Sequence, residues 1–299
     1  MNTIEFPGVG LGPFEINSVA VKNFFWSGRD IAWYGIFVTF GILCGIFYAF
    51  WRGQKNNGIQ VDDMIDVAIF SIPAAIIGAR LYYVLFNLKA FPTFFSVLEI
   101  WNGGLAVYGG ILVGLVTALS VCKFKKISVL KVFDSAAPAI MLGQIIGRWG
   151  NFTNAEVLGI KTELPWRMSV NGASGVHPIF LYESLWNLLG FALINLIYKK
   201  KKFDGQIFLM YMIWYGFGRM LLESIREEKD TLFLGVFRIS QVVGFLCFVL
   251  GAAAFVVMAA RYRTRKLEGA EYEGVYSELK TKITEHEPDE KNEDEDAKS

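Results

Sequence analysis

Apolar residues in this chain run in long unbroken blocks, not on alternating positions or along one helical stripe. Residues 31–51, 103–122 and 239–260 carry no charge at all. Each block is long enough to cross a hydrocarbon core, which takes about 20 helical residues. With the blocks that carry a few polar side chains included, the pattern predicts seven transmembrane helices, at 31–51, 64–85, 103–122, 132–146, 176–198, 205–222 and 237–260. The fold class expected is an all-α polytopic membrane helix bundle. The fourth segment is short and holds Asp134, Pro138 and Gln144. That predicts a kinked helix inside the bundle, where neighbouring helices satisfy the backbone groups a proline frees. The small-residue pairs Gly41/Gly45 and Gly110/Gly114 allow helices to approach closely.

Basic residues give the orientation. Arg52 and Lys55, then Lys123, Lys125, Lys126 and Lys131, then Lys199 to Lys202, then Arg261, Arg263, Arg265 and Lys266 all fall in one alternating set of connections. The opposite connections hold fewer bases, mixed with acids as at 226–230. The positive-inside rule therefore places the N-terminus outside and the C-terminus in the cytoplasm, which requires an odd number of spans. The first thirty residues lack a basic segment followed by an apolar one, so the first span reads as a retained anchor. The organisation expected is an outer-face segment at 1–30 and a seven-helix transmembrane domain at 31–265 with an outer-face loop region near 149–176. An acidic, disordered tail is expected at 266–299.

Composition agrees. Hydrophobic residues make up 54% of the chain and aromatics 15%, and the mean hydropathy is +0.39, well above soluble usage. The net charge of +1 hides a tail from 267 to 299 with twelve acids and four lysines. That tail is polar and poor in aromatics, the signature of disorder. Cys44, Cys122 and Cys247 all lie in apolar blocks without metal-type spacing and read as small buried hydrophobes. No metal, cofactor or nucleic-acid partner is expected.

One stretch departs from the apolar pattern. Residues 147–159 read Gly-Arg-Trp-Gly-Asn-Phe-Thr-Asn-Ala-Glu-Val-Leu-Gly, directly after an apolar run. Ionisable side chains at the edge of a hydrocarbon slab are expensive and are kept for substrates, ion paths or catalysis. The predicted topology brings further polar groups to the same outer depth: Tyr34, Arg80, Tyr108, His177, Glu183, Arg219 and Glu223. Asp66, Asp134, Asn187 and Asn195 are the inner exceptions, and Asp66 and Asp134 lie near enough to the opposite surface to read as first-turn acids of their own helices. Arginines at that depth need anionic partners. Glu156, Glu183 and Glu223 supply them internally; a lipid phosphate is the other partner, matched to the guanidinium fork.

These residues resemble a known family. The run 147–159 is similar to the signature of bacterial prolipoprotein diacylglyceryl transferases. Supporting matches are Trp33-Tyr34-Gly35, Gly78-Ala79-Arg80-Leu81-Tyr82-Tyr83, Trp101-Asn-Gly-Gly-Leu105 leading into Tyr108-Gly-Gly110, His177-Pro178 followed by Leu181-Tyr182-Glu183, and Tyr215-Gly-Phe-Gly-Arg219 with Glu223. They span residues 21–265 in order. Tyr108 stands where many relatives have histidine, and Ala32 and Phe180 stand where polar residues are frequent. The resemblance implies a multi-pass enzyme of the bacterial plasma (inner) membrane that uses no cofactor. Its implied reaction moves the diacylglyceryl group of phosphatidylglycerol to the lipobox cysteine of a prolipoprotein signal peptide, forming a thioether and releasing glycerol phosphate.

That chemistry needs a thiolate, an aligned glycerol carbon and donors for the departing phosphate. Arg148 and Arg219 are the expected phosphate clamp, with Asn151 and Asn154 donating to phosphate or glycerol oxygens. Gly159, Tyr34 and Arg80 complete the expected phosphatidylglycerol site, and Glu156 orients Arg148. Tyr215, Glu183 and Glu223 support them. Three groups are candidates for the base: His177, Tyr108 and a lipid phosphate oxygen. A polytopic lipid transporter or flippase is the rival reading, and it requires polar groups at mid-depth with broken helices in repeated positions.

Overall fold

A computed structural model describes residues 1–24, 29–227, 233–235 and 237–285. Seven of its helices have nineteen residues or more: α1 (Trp33–Asn57), α2 (Val61–Phe86), α4 (Val107–Lys125), α5 (Val129–Asn154), α6 (Ile179–Tyr198), α7 (Gln206–Ser224) and α8 (Ile239–Glu285). The short α3 (Phe94–Leu98) lies between α2 and α4. By length and composition, six helices among the described residues are able to cross a membrane. α7 is the seventh long helix and is less apolar, carrying Tyr211, Tyr215, Arg219 and Glu223. Phe47, Phe70, Ile77, Leu112 and Leu196 are exposed while Arg80, Asp134, Glu183 and Glu223 are buried. That distribution inverts the soluble pattern and suits a lipid surround.

Helix boundaries depart from the hydrophobic pattern where polar groups find internal partners. The fourth segment, predicted at 132–146, extends two turns further, to Asn154. The polar residues of the signature are therefore helical, and the connection that follows this helix starts at Ala155, not near 149. Inside α5, Pro138 cannot donate to the carbonyl of Asp134. The Tyr198 hydroxyl of α6 donates to that carbonyl at 3.0 Å instead. The third span starts at Val107, not 103, because Gly103 and Gly104 adopt φ of +83° and +74°.

Asp134 also differs from expectation. Its carboxylate accepts from the amides of Gly205 at 2.8 Å and Phe208 at 3.0 Å, at the start of α7, and from Lys201 Nζ at 3.0 Å. It caps a neighbouring helix and not its own, satisfying two of the amides that every helix N-terminus leaves open. Close backbone packing joins α1 to α5, where a Cβ on Gly41 would lie 3.1 Å from the Gly143 carbonyl oxygen. At the α6–α7 contact Trp186 and Trp214 stack at 4.3 Å, and each indole donates to the other's carbonyl.

The N-terminal segment forms strands that hydrophobic blocks did not announce. β1 (Asn2–Phe6) pairs antiparallel with β2 (Leu11–Ile16) on one side and with β5 (Ser169–Val170) on the other, and β3 (Val19–Phe24) pairs with β4 (Arg29–Ala32). Ile4 is fully buried against Met168 and Phe180, with Phe152 and Leu158 packed around them. This small core seats the last turns of α5 against the first turn of α6. The two-residue strands β6 (Phe233–Leu234) and β7 (Phe237–Arg238) precede α8. The chain divides into two compact units, 1–252 and 253–299. In the second, helix continues to Glu285 where disorder was expected from 266; good helix formers (Arg, Lys, Leu, Glu) dominate 261–285. The remainder of the tail, with His286, lies outside the described residues.

Candidate active site

α5, α6 and α7 each deliver charged residues to one cluster. Arg148 stands two turns before the end of α5, Glu183 in the second turn of α6, and Arg219 and Glu223 one turn apart near the end of α7. Glu183 offers one oxygen to each arginine: Oε2 meets Arg148 Nε, and Oε1 accepts from Arg219 Nη1 at 2.8 Å. Arg219 Nη2 pairs with Glu223 Oε2 at 2.9 Å. Glu183 and Glu223 are buried, and Arg219 nearly so. Isolated charges are not tolerated at such burial; reciprocal pairing compensates their lost hydration. The internal partners anticipated for the arginines are thus present, and Arg148 Nη2 makes no hydrogen bond among the described residues.

The end of the signature folds back on itself. The amides of Ala155 and Glu156 donate to the carbonyls of Phe152 and Asn151 at 3.1 Å each. This is the Schellman pattern, with Ala155 in the left-handed region at φ +53°. Val157 follows at φ +60°, an uncommon conformation for a β-branched residue. The reversal carries Glu156 over the Asn151 side chain, which donates to Glu156 Oε1 at 2.9 Å and accepts from Arg148 Nη1 at 3.2 Å. Glu156 therefore orients Arg148 through Asn151, and Asn151 is engaged by protein on both sides of its amide.

Gly159 and His177 lie on a backbone junction. Gly159 donates to the His177 carbonyl at 3.1 Å, Ile160 to Ile225 at 2.9 Å, and Glu227 to Leu158 at 3.0 Å. A Cβ on Gly159 would fall 2.5 Å from His177 Cβ and 3.0 Å from the Ile225 carbonyl oxygen. Gly159 thus permits a close backbone approach that no side chain could. The His177 ring meets Tyr182, with Nδ1 3.2 Å from the hydroxyl, and that oxygen accepts from Trp166 Nε1 at 2.6 Å. Burial pushes the imidazole below its ordinary value, so it is neutral at pH 7.

The remaining expected residues divide. Tyr34 packs against Gly150, where a Cβ would come within 2.9 Å of its ring, two residues along α5 from Arg148. Tyr215 lies in electrostatic range of Arg219, Glu183 and Arg148, and Tyr108 in range of Arg219. Asn154 ends α5, and its carbonyl accepts from the Asn2 amide at 3.5 Å. Arg80 is not in the cluster. Its Nε donates to the Val97 carbonyl (2.8 Å), Nη1 to Gly103 (2.6 Å) and Gly104 (3.1 Å), and Nη2 to Ser96 (2.8 Å) and Glu99 (3.2 Å). All five guanidinium donors are spent on the segment before α4, which corrects its expected place in the lipid site. Sequence reading also missed two arginines. Arg226 approaches Glu223 Oε2 at 3.8 Å, and Arg238 Nη1 donates to the carbonyls of Glu223 and of Arg226, the latter at 2.9 Å. Arg226 follows Glu223 by three residues and Arg219 by seven, a helical spacing that a mixed-charge loop disguised.

The chain matches the family model for prolipoprotein diacylglyceryl transferase over residues 23–257. It is 41% identical over 246 residues to the phosphatidylglycerol–prolipoprotein diacylglyceryl transferase of Finegoldia magna, covering 82% of this chain and 96% of that protein. The Clostridioides difficile protein of the same name is 39% identical over 235 residues, with 78% and 93% covered. That of Streptococcus pyogenes is 38% identical over 259 residues, with 83% and 97% covered.

Proposed function

The chain belongs to the prolipoprotein diacylglyceryl transferase family, and on that premise we propose how its arginine–glutamate cluster moves a diacylglyceryl group from phosphatidylglycerol to a prolipoprotein. The acceptor is the thiol of a lipobox cysteine. A sulfur–carbon bond forms at the diacylglyceryl carbon that carries the phosphate, the bond from that carbon to the phosphate oxygen breaks, and glycerol phosphate departs. The thiol proton passes to a base.

The observation that carries this reading is the single carboxylate of Glu183 holding Arg148 and Arg219 from two different helices. Two guanidiniums fixed before substrate arrives are preorganised donors for charge that develops on the departing phosphate, and they act strongly in a low-dielectric surround. Arg148 Nη2 is open to a phosphate oxygen. Asn154, at the end of α5, and Tyr34, against Gly150, serve the glycerol oxygens. Asn151 and Glu156 position Arg148, and Glu223 and Tyr215 support Arg219. Two side chains compete for the role of base. Tyr108 lies in electrostatic range of Arg219, and His177 is neutral at pH 7 and the better proton acceptor.

The site belongs at the outer face of the bacterial plasma membrane, with seven spans, the N-terminus outside and the C-terminal tail in the cytoplasm, as the basic loops suggest. The transporter reading finds no support in the family match, and the cluster lies at helix ends, not at mid-depth.

The test combines purified protein, phosphatidylglycerol and a lipobox peptide, and measures the peptide's mass. A diacylglyceryl-shifted peptide is expected, with the rate reduced by orders of magnitude in Arg148→Ala and Arg219→Ala. Near-native rates in those variants would overturn the clamp. Tyr108→Phe and His177→Gln identify the base by which one abolishes transfer.

A further inference from the structure

We propose that Arg226 is a third arm of the phosphate clamp, taking a phosphate oxygen of phosphatidylglycerol alongside Arg148 and Arg219; this rests on the clamp reading above. Arg226 is mostly buried, with its side chain 15% exposed. Its Nε is buried without a hydrogen-bond partner among the described residues. The nearest carboxylate oxygen, on Glu223, stands at 3.8 Å, beyond hydrogen-bond reach. Burying a guanidinium and leaving its donors unused is costly. Arg80 shows what this protein does with an arginine that serves structure: every one of its donors is matched to a carbonyl.

The backbone at Arg226, in contrast to its side chain, is held firmly. Ile225 and Glu227 are sewn to Ile160 and Leu158, and the Arg238 guanidinium donates to the Arg226 carbonyl at 2.9 Å. Arg226 shares Glu223 Oε2 with Arg219, at 3.8 Å and 2.9 Å, which places it in the same cluster, within electrostatic range of Glu183 and Arg148. A rigid base, a desolvated head and a buried Nε with no partner among the described residues, in a cluster with two other guanidiniums, together make a site for a multi-oxygen anion, since phosphate offers more acceptors than two forks can fill.

Inhibition by the product glycerol phosphate reads this directly. In initial-rate assays of the full chain, Arg226→Gln is expected to raise the inhibition constant of glycerol phosphate about tenfold, the loss of one hydrogen bond to a charged group. Arg226→Lys, which keeps the charge and loses the fork, is expected to raise it severalfold and serves if the glutamine variant does not fold. An inhibition constant equal to the native one in either folded variant would overturn the proposal and leave Arg226 as a counter-charge for Glu223. Arg148→Gln is the reference: weakened inhibition there with none at Arg226 removes only the third arm, whereas unchanged inhibition in both removes the clamp itself.

Discussion

Asn151 donates to Glu156 at 2.9 Å across a helix end that turns back on itself, and by that bond a glutamate outside α5 governs an arginine inside it. The path runs Glu156, Asn151, Arg148, with no direct contact between the ends. Removing the carboxylate frees the Asn151 amide to rotate. Glu156→Ala is expected to lower kcat/KM about ten- to a hundredfold, the range for a hydrogen bond to a charged group. Glu156→Gln keeps an acceptor oxygen and is expected to lose less. Initial rates with saturating peptide check the order.

Glu183 bridges Arg148 and Arg219, so Glu183→Ala leaves the half-buried Arg148 without its carboxylate and the nearly buried Arg219 with Glu223 alone. Breaking a buried pair from one side costs about 3–5 kcal/mol. A marked drop in thermal midpoint is expected, with partial recovery on adding an anion such as glycerol phosphate. An unchanged midpoint would mean that the bridge carries no net energy.

Arg80→Lys replaces a five-donor fork by an ammonium with three donors. Since the fork pins the carbonyls of residues 96–104, the segment between α2 and α4 is expected to become susceptible to protease while the affinity for glycerol phosphate stays native. Loss of that affinity would return Arg80 to the lipid site.

His177 gives a pH signature. Burial lowers its native value below the unfolded one, so below about pH 6.5 the unfolded chain binds more protons than the native protein. The stability is present above the unfolded value and is lost as pH falls through the lowered native value. His177→Gln is expected to flatten the thermal midpoint between pH 5 and 7 relative to the native protein.

Gly159→Ala forces a methyl to within 2.5 Å of His177 Cβ and 3.0 Å of the Ile225 carbonyl oxygen. Backbone on both sides leaves no side chain to swing away. Activity and stability are both expected to fall, and Gly159→Ser should be no better; near-native behaviour in either would show that the junction can open.

Much of this was legible in the chain. Uncharged blocks announced the long helices, and residue depth grouped Arg148, Glu183, Arg219 and Glu223 before any coordinates did. The ends of elements were harder to see, because hydropathy scores a residue by its type and not by its partners. Arg148 and Asn151 looked like a helix terminus, yet they are helical because Glu183 and Glu156 receive them. Arg80 was misplaced for the same reason, its depth being readable and the five carbonyls being not. The pairing of Ile4 with Val170 joins positions too far apart in sequence for any local pattern to reveal.

The carboxylate of Asp134 sets where α7 begins, and Glu183 sets where α7 meets α5 at the other end. Between those points α5 runs about 21 Å from Asp134 to Arg148 and α7 about 17 Å from Phe208 to Arg219, at 1.5 Å per residue. The two helices are rods gauged at both ends. One residue added between 208 and 219 would turn Arg219 through about 100° and carry it off Glu183. Helix length is therefore itself a parameter of the arginine–glutamate cluster, calibrated from a carboxylate that belongs to none of its pairs.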